Sequence, residues 1–189
     1  MAKLFYIIGG SGAGKDSLID YLHQHVPAHA PVEFIRRYIT RSADAGGENH
    51  IALTEEEFIK YRNNEHFAMC WFSHNTYYGI GTEVDCLLSK NISVVMNGSR
   101  EYLNVAADKY PDIVPVLINV DPVVLSERLF ARGRESFEEI QKRIAQAVKL
   151  EHSVQHPNLL VIDNNSSLES AGEQLLRIIT NKYSDEKCA

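Results

Sequence analysis

Short apolar runs alternate with segments of helical periodicity along the whole chain. The apolar runs predict strands near residues 3–8, 34–39, 92–96, 113–120 and 159–162. The periodic segments predict helices over 15–25, 54–63, 82–90, 99–109, 122–132, 136–151 and 167–181. Strands that alternate with helices are typical of a parallel sheet with helices packed on both faces. We therefore expect an α/β fold in three layers, α/β/α.

Residues 40–81 interrupt this alternation. The segment is rich in glycine, asparagine, histidine and aromatic residues, which predicts a small β-rich insertion. A chain of 189 residues fits one compact domain. We expect a core of residues 1–39 and 82–189 with the insertion at about 40–81.

Composition excludes several classes of protein. The formal net charge of −6, without a long basic run, argues against a nucleic-acid-binding surface. The run Leu4–Ile8 is too short for a signal sequence, and no stretch is long enough to span a bilayer. The three cysteines have no paired spacing, so we expect neither a zinc site nor a disulfide framework. We expect a cytoplasmic protein, and the choice between monomer and homodimer stays open.

A glycine-rich segment directly follows the first predicted strand, with the sequence Gly9-Gly10-Ser11-Gly12-Ala13-Gly14-Lys15-Asp16-Ser17. A phosphate-binding loop requires glycine, four residues, Gly-Lys and a hydroxyl residue; Gly9, Gly14 and Lys15 meet this pattern. Such a loop surrounds phosphates with backbone N–H groups, and the positive end of the next helix points at them. The order of strand, loop and helix therefore predicts ATP binding, with Lys15 at the β and γ phosphates.

The loop departs from the pattern at the position that normally binds magnesium. A serine or threonine is expected after the lysine, and the chain has Asp16 there. Two alternatives follow. Either Ser17 supplies the hydroxyl one place later, or the Asp16 carboxylate holds the ion through its waters. The sequence therefore predicts a Mg²⁺ cofactor at Asp16 or Ser17.

A cluster of arginines lies far along the chain, in residues 128–143. Its members, interrupted by Gly133, are Arg128, Arg132, Arg134 and Arg143. Guanidinium groups bind phosphate oxygens bidentately and stabilise a transferring phosphoryl group. The segment therefore predicts a mobile lid that closes over the nucleotide. The alternative is a solvated helix face with pairs such as Glu139 and Arg143.

A second basic cluster, Arg36, Arg37 and Arg41, stands at the end of a predicted strand and at the start of the insertion. In open α/β sheets, ligands bind at the carboxyl ends of the strands. We therefore predict that these arginines bind an acceptor substrate that faces the nucleotide. A charged edge strand is the alternative interpretation.

Five motifs follow one another along the chain: residues 9–17, Tyr38–Arg41, Trp71, Tyr78–Gly79 and the arginines of 128–143. This order resembles the guanylate-kinase-like P-loop kinases, which pair an ATP-binding core with an acceptor-binding insertion and an arginine-bearing lid. The resemblance implies roles for individual residues. The implied ATP-side residues are Lys15, the lid arginines Arg132 and Arg143, and, near adenine, Asn164 or Asn165. Arg128 is a further candidate for ATP binding. The implied acceptor-phosphate residues are Arg41 and Tyr78.

The departures from this family concern the acceptor. The family's second acceptor arginine falls on Asp44, and a family tyrosine falls on His50. The glutamate that recognises guanine falls on Cys70. A thiol cannot accept the two hydrogen bonds that a carboxylate accepts from guanine. Guanine recognition is therefore predicted to be lost.

These departures, together with Glu48–Leu53 and Asn97–Arg100, resemble the ribose 1,5-bisphosphate phosphokinases of phosphonate catabolism. The resemblance implies transfer of the ATP γ-phosphoryl group to the 1-phosphate of ribose 1,5-bisphosphate, which gives ADP and 5-phosphoribosyl 1-diphosphate. A sugar with two phosphates needs cationic partners and partners for its hydroxyl groups. The candidates for acceptor binding are Arg36, Arg37, Arg41, Asn49, His50, Tyr78 and Arg100.

The acceptor phosphate is already ionised at neutral pH, so this reaction needs no dedicated base. Catalysis is expected to rest on Lys15, magnesium and the lid arginines Arg132 and Arg143. Two other functions remain as alternatives. One is a nucleoside monophosphate kinase with an altered base preference. The other is a non-catalytic guanylate-kinase-like binding module, which the intact phosphate-loop pattern disfavours.

Overall fold

The computed structural model describes residues 1–42, 48–133, 136–151 and 154–181. These residues form nine strands and seven helices. In chain order the elements are β1 (Leu4–Gly9), α1 (Lys15–His25), β2 (Val32–Ile35), β3 (Tyr38–Ile39), β4 (Ile51–Ala52), α2 (Glu55–Asn63), β5 (Phe67–Ser73), β6 (Thr76–Gly81), α3 (Glu83–Ser89), β7 (Ser93–Asn97), α4 (Leu103–Lys109), β8 (Val114–Asn119), α5 (Pro122–Arg132), α6 (Phe137–Glu151), β9 (Leu160–Asp163) and α7 (Leu168–Asn181).

The central sheet has five parallel strands in the order β2-β7-β1-β8-β9. Side chains of β1 alternate between two buried clusters: Phe5 and Ile7 face the helices α1, α5, α6 and α7, and Tyr6 and Ile8 face α3 and α4. A strand covered on both faces is apolar throughout, which explains the continuous apolar run at the start of the chain. The predicted three-layer α/β/α fold is confirmed.

A second sheet of four strands has the order β4-β3-β6-β5. Its strands β5 and β6 form an antiparallel hairpin, whose turn residues His74 and Asn75 have φ values of 50° and 55°. Positive φ at both central positions is the backbone that a two-residue hairpin turn requires. Met69 of β5 and Ile80 of β6 pack into the same buried cluster as Tyr6. The second sheet therefore rests on one face of the central sheet.

Two predicted elements differ from the structure by more than one residue at a boundary. The strand predicted at 34–39 is two strands, β2 and β3, which lie in different sheets and are separated by Arg36 and Arg37. β2 lies at the edge of the central sheet, and the two arginines after it place charged side chains outside the apolar core, so the chain leaves the sheet there. The helix predicted from residue 99 begins at Leu103. The Tyr6 hydroxyl holds both backbone groups of Ser99 in a loop instead.

No helix in the described ranges is long and apolar enough to cross a membrane.

Candidate active site

The loop between β1 and α1 lies at the carboxyl edge of the central sheet. Gly12 and Gly14 have φ values of 88° and 86°, in the left-handed region that favours glycine. A Cβ atom on Gly14 would come within 2.6 Å of Asn164 Nδ2. The same Nδ2 atom donates a hydrogen bond of 2.8 Å to the carbonyl of Ala13. The end of β9 therefore holds the loop in shape, and only glycine fits at position 14.

Lys15 is the first residue of α1, and its ammonium group turns back over the loop. Its Nζ donates to the carbonyl oxygens of Gly9 and Gly10, at 3.1 and 3.0 Å. Burial lowers the pKa of Lys15 to about 8, although the carboxylates of Asp16 and Glu48 act against this shift. A cation that has lost its water is stabilised by an anionic ligand. This geometry suits Lys15 for binding phosphate.

A line of polar contacts runs from the phosphate loop into the insertion. Asn97, buried at the end of β7, donates from Nδ2 to Asp16 Oδ1 at 2.7 Å and to Glu48 Oε2 at 3.3 Å. Glu48 in turn pairs with Arg37, whose Nε donates to Oε1 at 2.8 Å and whose Nη2 donates to Oε2. The Arg37 guanidinium lies 4.8 Å from the centre of the Tyr78 ring. Five separate segments of the chain thus meet through side chains.

A polar cleft of about 320 Å³ opens beside this line, between α1 and the end of β2. Its charged and amide residues are Asp16, Asp20, Arg36, Arg37, Glu48, Asn49 and Asn97. Ile19, His23, Phe34 and Ile35 complete the wall. A cleft that mixes carboxylates, guanidinium groups and amides suits a small polar molecule with hydroxyl and phosphate groups.

Arg41 and His50 flank residues 43–47, which lie outside the described residues. The predicted departure at Asp44 falls in this segment. The two nitrogens of the buried His50 ring lie 3.0 Å from the carbonyl oxygens of Glu48 and Arg41. His50 therefore contacts the backbone on both sides. The Nε atom of Arg41 is buried and has no hydrogen-bond partner among the described residues. Of these two predicted acceptor residues, Arg41 is therefore the one with an N–H group that lacks a partner among the described residues.

Asn49 and Arg100 occupy different surroundings, although both are predicted to bind the acceptor. Asn49 lines the polar cleft and accepts a 3.4 Å hydrogen bond from Arg36 Nη1. Arg100 lines a small cavity beside Gly10 and Ala13 of the phosphate loop. Burial lowers the pKa of Arg100. Arg100 is therefore a cation beside the phosphate loop, outside the polar cleft.

The two alternatives for magnesium also differ in position. Asp16 lines the polar cleft, whereas Ser17 is exposed on α1. Within the described ranges, no group of three histidine, cysteine or acidic residues could hold a metal by itself. Magnesium is usually held by one or two carboxylates together with substrate phosphates, so a single protein carboxylate is compatible with such a site.

The two asparagines predicted to lie near adenine have different contacts. Asn164 is buried against the phosphate loop, and its Oδ1 has no hydrogen-bond partner among the described residues. Asn165 accepts from the backbone N–H of Asp121 at 2.6 Å and donates to Asp163 at 3.0 Å. Asn165 thus supports the start of α5, where Asp121 is the N-cap residue. Asn164 is the residue of the pair that contacts the loop.

Three members of the predicted arginine cluster lie on helices: Arg128 and Arg132 on α5, and Arg143 on α6. Gly133 ends α5 with a φ of 62°. Arg143 on α6 donates from Nη1 to Ser11 Oγ at 2.5 Å, which joins α6 to the phosphate loop. Arg128 is half-buried on α5. The side chain of Arg132 and all of Arg134 lie outside the described residues.

Three residues of this region were not among the predicted site residues: Tyr6, Glu48 and Asn97. Tyr6 holds Ser99 and is packed under Gly98, where a Cβ atom would come within 2.3 Å of the ring. One signal in the sequence pointed to Asn97, because an amide directly after the apolar run Val94–Met96 marks the carboxyl end of a strand. The importance of Glu48 depends on Arg37 and Asn97, which are distant in the sequence.

The central parallel sheet has a phosphate loop after its central strand and a helix that begins at the loop lysine, and an arginine of α6 contacts the loop. These features define a P-loop kinase. The family model described as guanylate kinase matches residues 1–182. The solved structure of guanylate kinase from Anaplasma phagocytophilum has the same fold, with a TM-score of 0.69 at 13% identity; the match covers 96% of this chain and 85% of that one.

More similar relatives carry the name ribose 1,5-bisphosphate phosphokinase PhnN. The relative from Psychromonas ingrahamii is 49% identical, over 95% of this chain and 91% of the relative. The relative from Klebsiella pneumoniae is 40% identical, over 97% of this chain and 96% of the relative. The chain therefore belongs to the guanylate kinase family and, within it, to the group of these ribose 1,5-bisphosphate phosphokinases.

Proposed function

We propose that the chain transfers the γ-phosphoryl group of ATP to the 1-phosphate of ribose 1,5-bisphosphate. An oxygen of the 1-phosphate forms a bond to the γ-phosphorus, and the bond from that phosphorus to the ADP oxygen breaks. The products are ADP and 5-phosphoribosyl 1-diphosphate. The similarity to relatives of this name, at 40–49% identity over at least 95% of the chain in the two cases given, carries the proposal.

The nucleotide side of the proposal rests on the phosphate loop. ATP phosphates bound in the loop face the start of α1 and the ammonium group of Lys15. Arg143, which contacts Ser11 of the loop, is close enough to act on the transferring group. Magnesium prefers oxygen ligands, and the Asp16 carboxylate in the cleft fits it better than the exposed Ser17. When bound, the ion neutralises charge on the β and γ phosphates.

The acceptor side rests on the polar cleft and the cations around it. Arg41 has a buried N–H group without a partner among the described residues, and Arg100 lies beside the loop. We assign the acceptor phosphates to these two residues, with Tyr78 and Asn49 near the sugar. Arg37 and His50 already have protein partners. Cys70, where guanylate kinases have the guanine-binding glutamate, is half-buried on β5.

The chemistry needs no general base from the protein. Phosphate oxygens of the acceptor are ionised at neutral pH, so the nucleophile carries its charge before it binds. The task of the protein is then to hold two anionic substrates in line and to offset their repulsion. Lysine, arginine and a divalent ion supply that charge, and orientation supplies most of the remaining rate acceleration.

The decisive experiment is a coupled assay of ADP release with ATP and three acceptors: ribose 1,5-bisphosphate, GMP and AMP. We expect the ribose bisphosphate to be preferred over GMP by at least about 10²-fold in kcat/KM, because the Cys70 thiol cannot accept the two hydrogen bonds that the glutamate of guanylate kinases accepts from guanine. The product is identified by its conversion in a phosphoribosyltransferase reaction. The Lys15→Ala variant, purified in parallel, measures any contaminating kinase. Equal efficiency with GMP would overturn the proposal and favour a nucleoside monophosphate kinase.

A further inference from the structure

Asn97 joins two carboxylates from separate parts of the fold. Asp16 belongs to the first turn of α1, directly after the phosphate-loop lysine, and Glu48 belongs to the insertion. Two carboxylates that approach one side chain repel each other. The primary amide has two N–H donors, and its Nδ2 lies 2.7 Å from Asp16 Oδ1 and 3.3 Å from Glu48 Oε2. The amide therefore holds both carboxylates where they would otherwise separate.

Glu48 connects Asn97, through Arg37, to aromatic residues of the second sheet. Its side chain is 12% exposed and that of Arg37 is 11% exposed, so the pair between them is largely removed from water. Two parallel N–H contacts fix the plane of the guanidinium group. That plane lies over Tyr78, whose ring stacks on Trp71 at 5.5 Å and 9°. The position of this aromatic pair is thus tied to the position of Asn97.

We propose that Asn97 is a positioning residue, which through Glu48 and Arg37 sets the aromatic wall formed by Trp71 and Tyr78 at a fixed place relative to the phosphate loop. Arg37 then supports the wall instead of binding an acceptor phosphate. The identity of the acceptor in this inference rests on the proposed function. A buried ion pair that loses one of its supports is destabilised, and the wall moves with it.

The first test compares Asn97→Asp and Asn97→Leu with Ser93→Ala. Aspartate keeps the shape of asparagine, removes the N–H donors and adds a negative charge beside Asp16 and Glu48, whereas leucine removes the donors without adding charge. A loss that both variants share is therefore due to the missing hydrogen bonds. Ser93 is buried at the opposite end of β7, where its Oγ accepts from the Lys3 backbone N–H at 2.9 Å. Ser93→Ala therefore reports the cost of losing a buried hydrogen bond on the same strand, away from the site.

We expect both Asn97 variants to lower kcat by about 10- to 10²-fold, the cost of a displacement on the order of 1 Å between reacting groups. The KM for ATP changes by less than about threefold, because the phosphate loop itself is intact. Ser93→Ala lowers the melting temperature without lowering kcat. If Asn97→Asp kept the kcat of the parent, or changed only the melting temperature as Ser93→Ala does, the inference would be overturned.

A second readout needs no acceptor. Trp71 is the one tryptophan in the chain, and the Arg37 guanidinium lies 5.8 Å from the centre of its ring. We expect Asn97→Asp and Glu48→Gln to change the emission maximum and the acrylamide quenching of Trp71 in the free enzyme. Ser93→Ala leaves both unchanged. Unaltered Trp71 emission in the two variants would overturn the inference even if ribose 1,5-bisphosphate proved to be the substrate.

A double-mutant cycle completes the test. If Asn97 acts through Glu48, the Asn97→Leu and Glu48→Gln variants remove the same constraint, and the double variant loses no more kcat than the worse single variant. Independent losses that multiply would overturn the inference. The cycle uses the acceptor that the parent enzyme phosphorylates fastest in the assay above. A failure of the ribose bisphosphate as substrate is therefore distinguished from a failure of the positioning role.

Discussion

The phosphate loop and the polar cleft lie side by side and are built in different ways. The loop is one contiguous segment, residues 9–14, whose shape depends on the backbone conformations of Gly12 and Gly14. The cleft is built from side chains of α1, the end of β2, the insertion and the end of β7. A binding surface made of backbone is specified locally. A surface made of distant side chains exists only when the whole domain has folded.

The cations of the two regions also have different partners. In the loop, Lys15 donates to neutral carbonyl oxygens, and burial lowers the pKa of both Lys15 and Arg100. In the cleft, Arg37 is paired with Glu48. An anion that enters the loop gains contacts without breaking an ion pair, whereas a ligand of the cleft must fit groups that already have partners. We infer that the loop supplies affinity for phosphates and that the cleft supplies selectivity.

Among the variants that test this comparison, Lys15→Ala is expected to lower the activity most. The variant removes the cation of the loop, and we expect kcat/KM to fall by about 10²-fold or more, the scale of losing one preorganised electrostatic contact. The fold remains, because the ammonium group contributes charge and not packing. Lys90→Ala, an exposed lysine after α3, is the matched control. Activity within about threefold of the parent would contradict the assignment of the loop.

Arg143→Ala tests whether the lid acts on the loop in the transition state. Its guanidinium contacts Ser11, and charge spreads over the phosphoryl group only as it moves. We expect kcat to fall by about 10- to 10²-fold, with a smaller change in the dissociation constant of ATP. Arg177→Ala, an exposed arginine paired with Glu173 on α7, serves as the control. Weaker ATP binding at unchanged kcat would make Arg143 a ground-state binding residue. We predict the same behaviour for Arg132.

The pH dependence of the activity tests the role of the Lys15 charge in the phosphate loop. The pKa of Lys15 is lowered to about 8, so the ammonium form is present below pH 8 and is lost as the pH rises through that value. We expect kcat/KM for ATP, which reports the free enzyme, to fall above pH 8 by about tenfold per unit. Lys15→Arg should remove this alkaline limb, since guanidinium stays charged. A flat profile up to pH 10 in the parent would contradict the prediction.

The smallest effect is expected from Tyr6→Phe, beside the loop that carries Arg100. The hydroxyl accepts from the Ser99 N–H at 2.9 Å and donates to its carbonyl at 3.1 Å. Burial raises the pKa of Tyr6 to about 12, so these bonds persist over the whole assay range. We expect a loss of about 1–2 kcal/mol in the free energy of unfolding. The KM for the acceptor should rise a few-fold, while the KM for ATP stays constant. An unchanged melting temperature would contradict this role for Tyr6.

The phosphate loop is local in sequence and the cleft is not, and this difference explains which parts of the site the sequence could predict. The phosphate loop could be read from a local pattern, and its place after the central strand is confirmed by the structure. The contact between Asn97 and Asp16 spans 81 positions, and the contact between Arg37 and Glu48 spans 11 with part of the insertion between them. No local periodicity encodes such pairs. Arg37 therefore resembled a free cation in the sequence and has a carboxylate partner in the structure.

The sequence by itself determined the α/β/α layering, the phosphate loop and the helix that begins at Lys15, because apolar periodicity and glycine conformation act over a few neighbouring residues. Only the tertiary structure decided that β2 and β3 belong to different sheets, that Asn164 and not Asn165 contacts the loop, and that Asn97 joins Asp16 to Glu48. These outcomes depend on which strand ends meet at one edge of the sheet. Sheet order is set by burial over the whole domain, and hydrogen bonds between side chains form wherever that order brings donors and acceptors together.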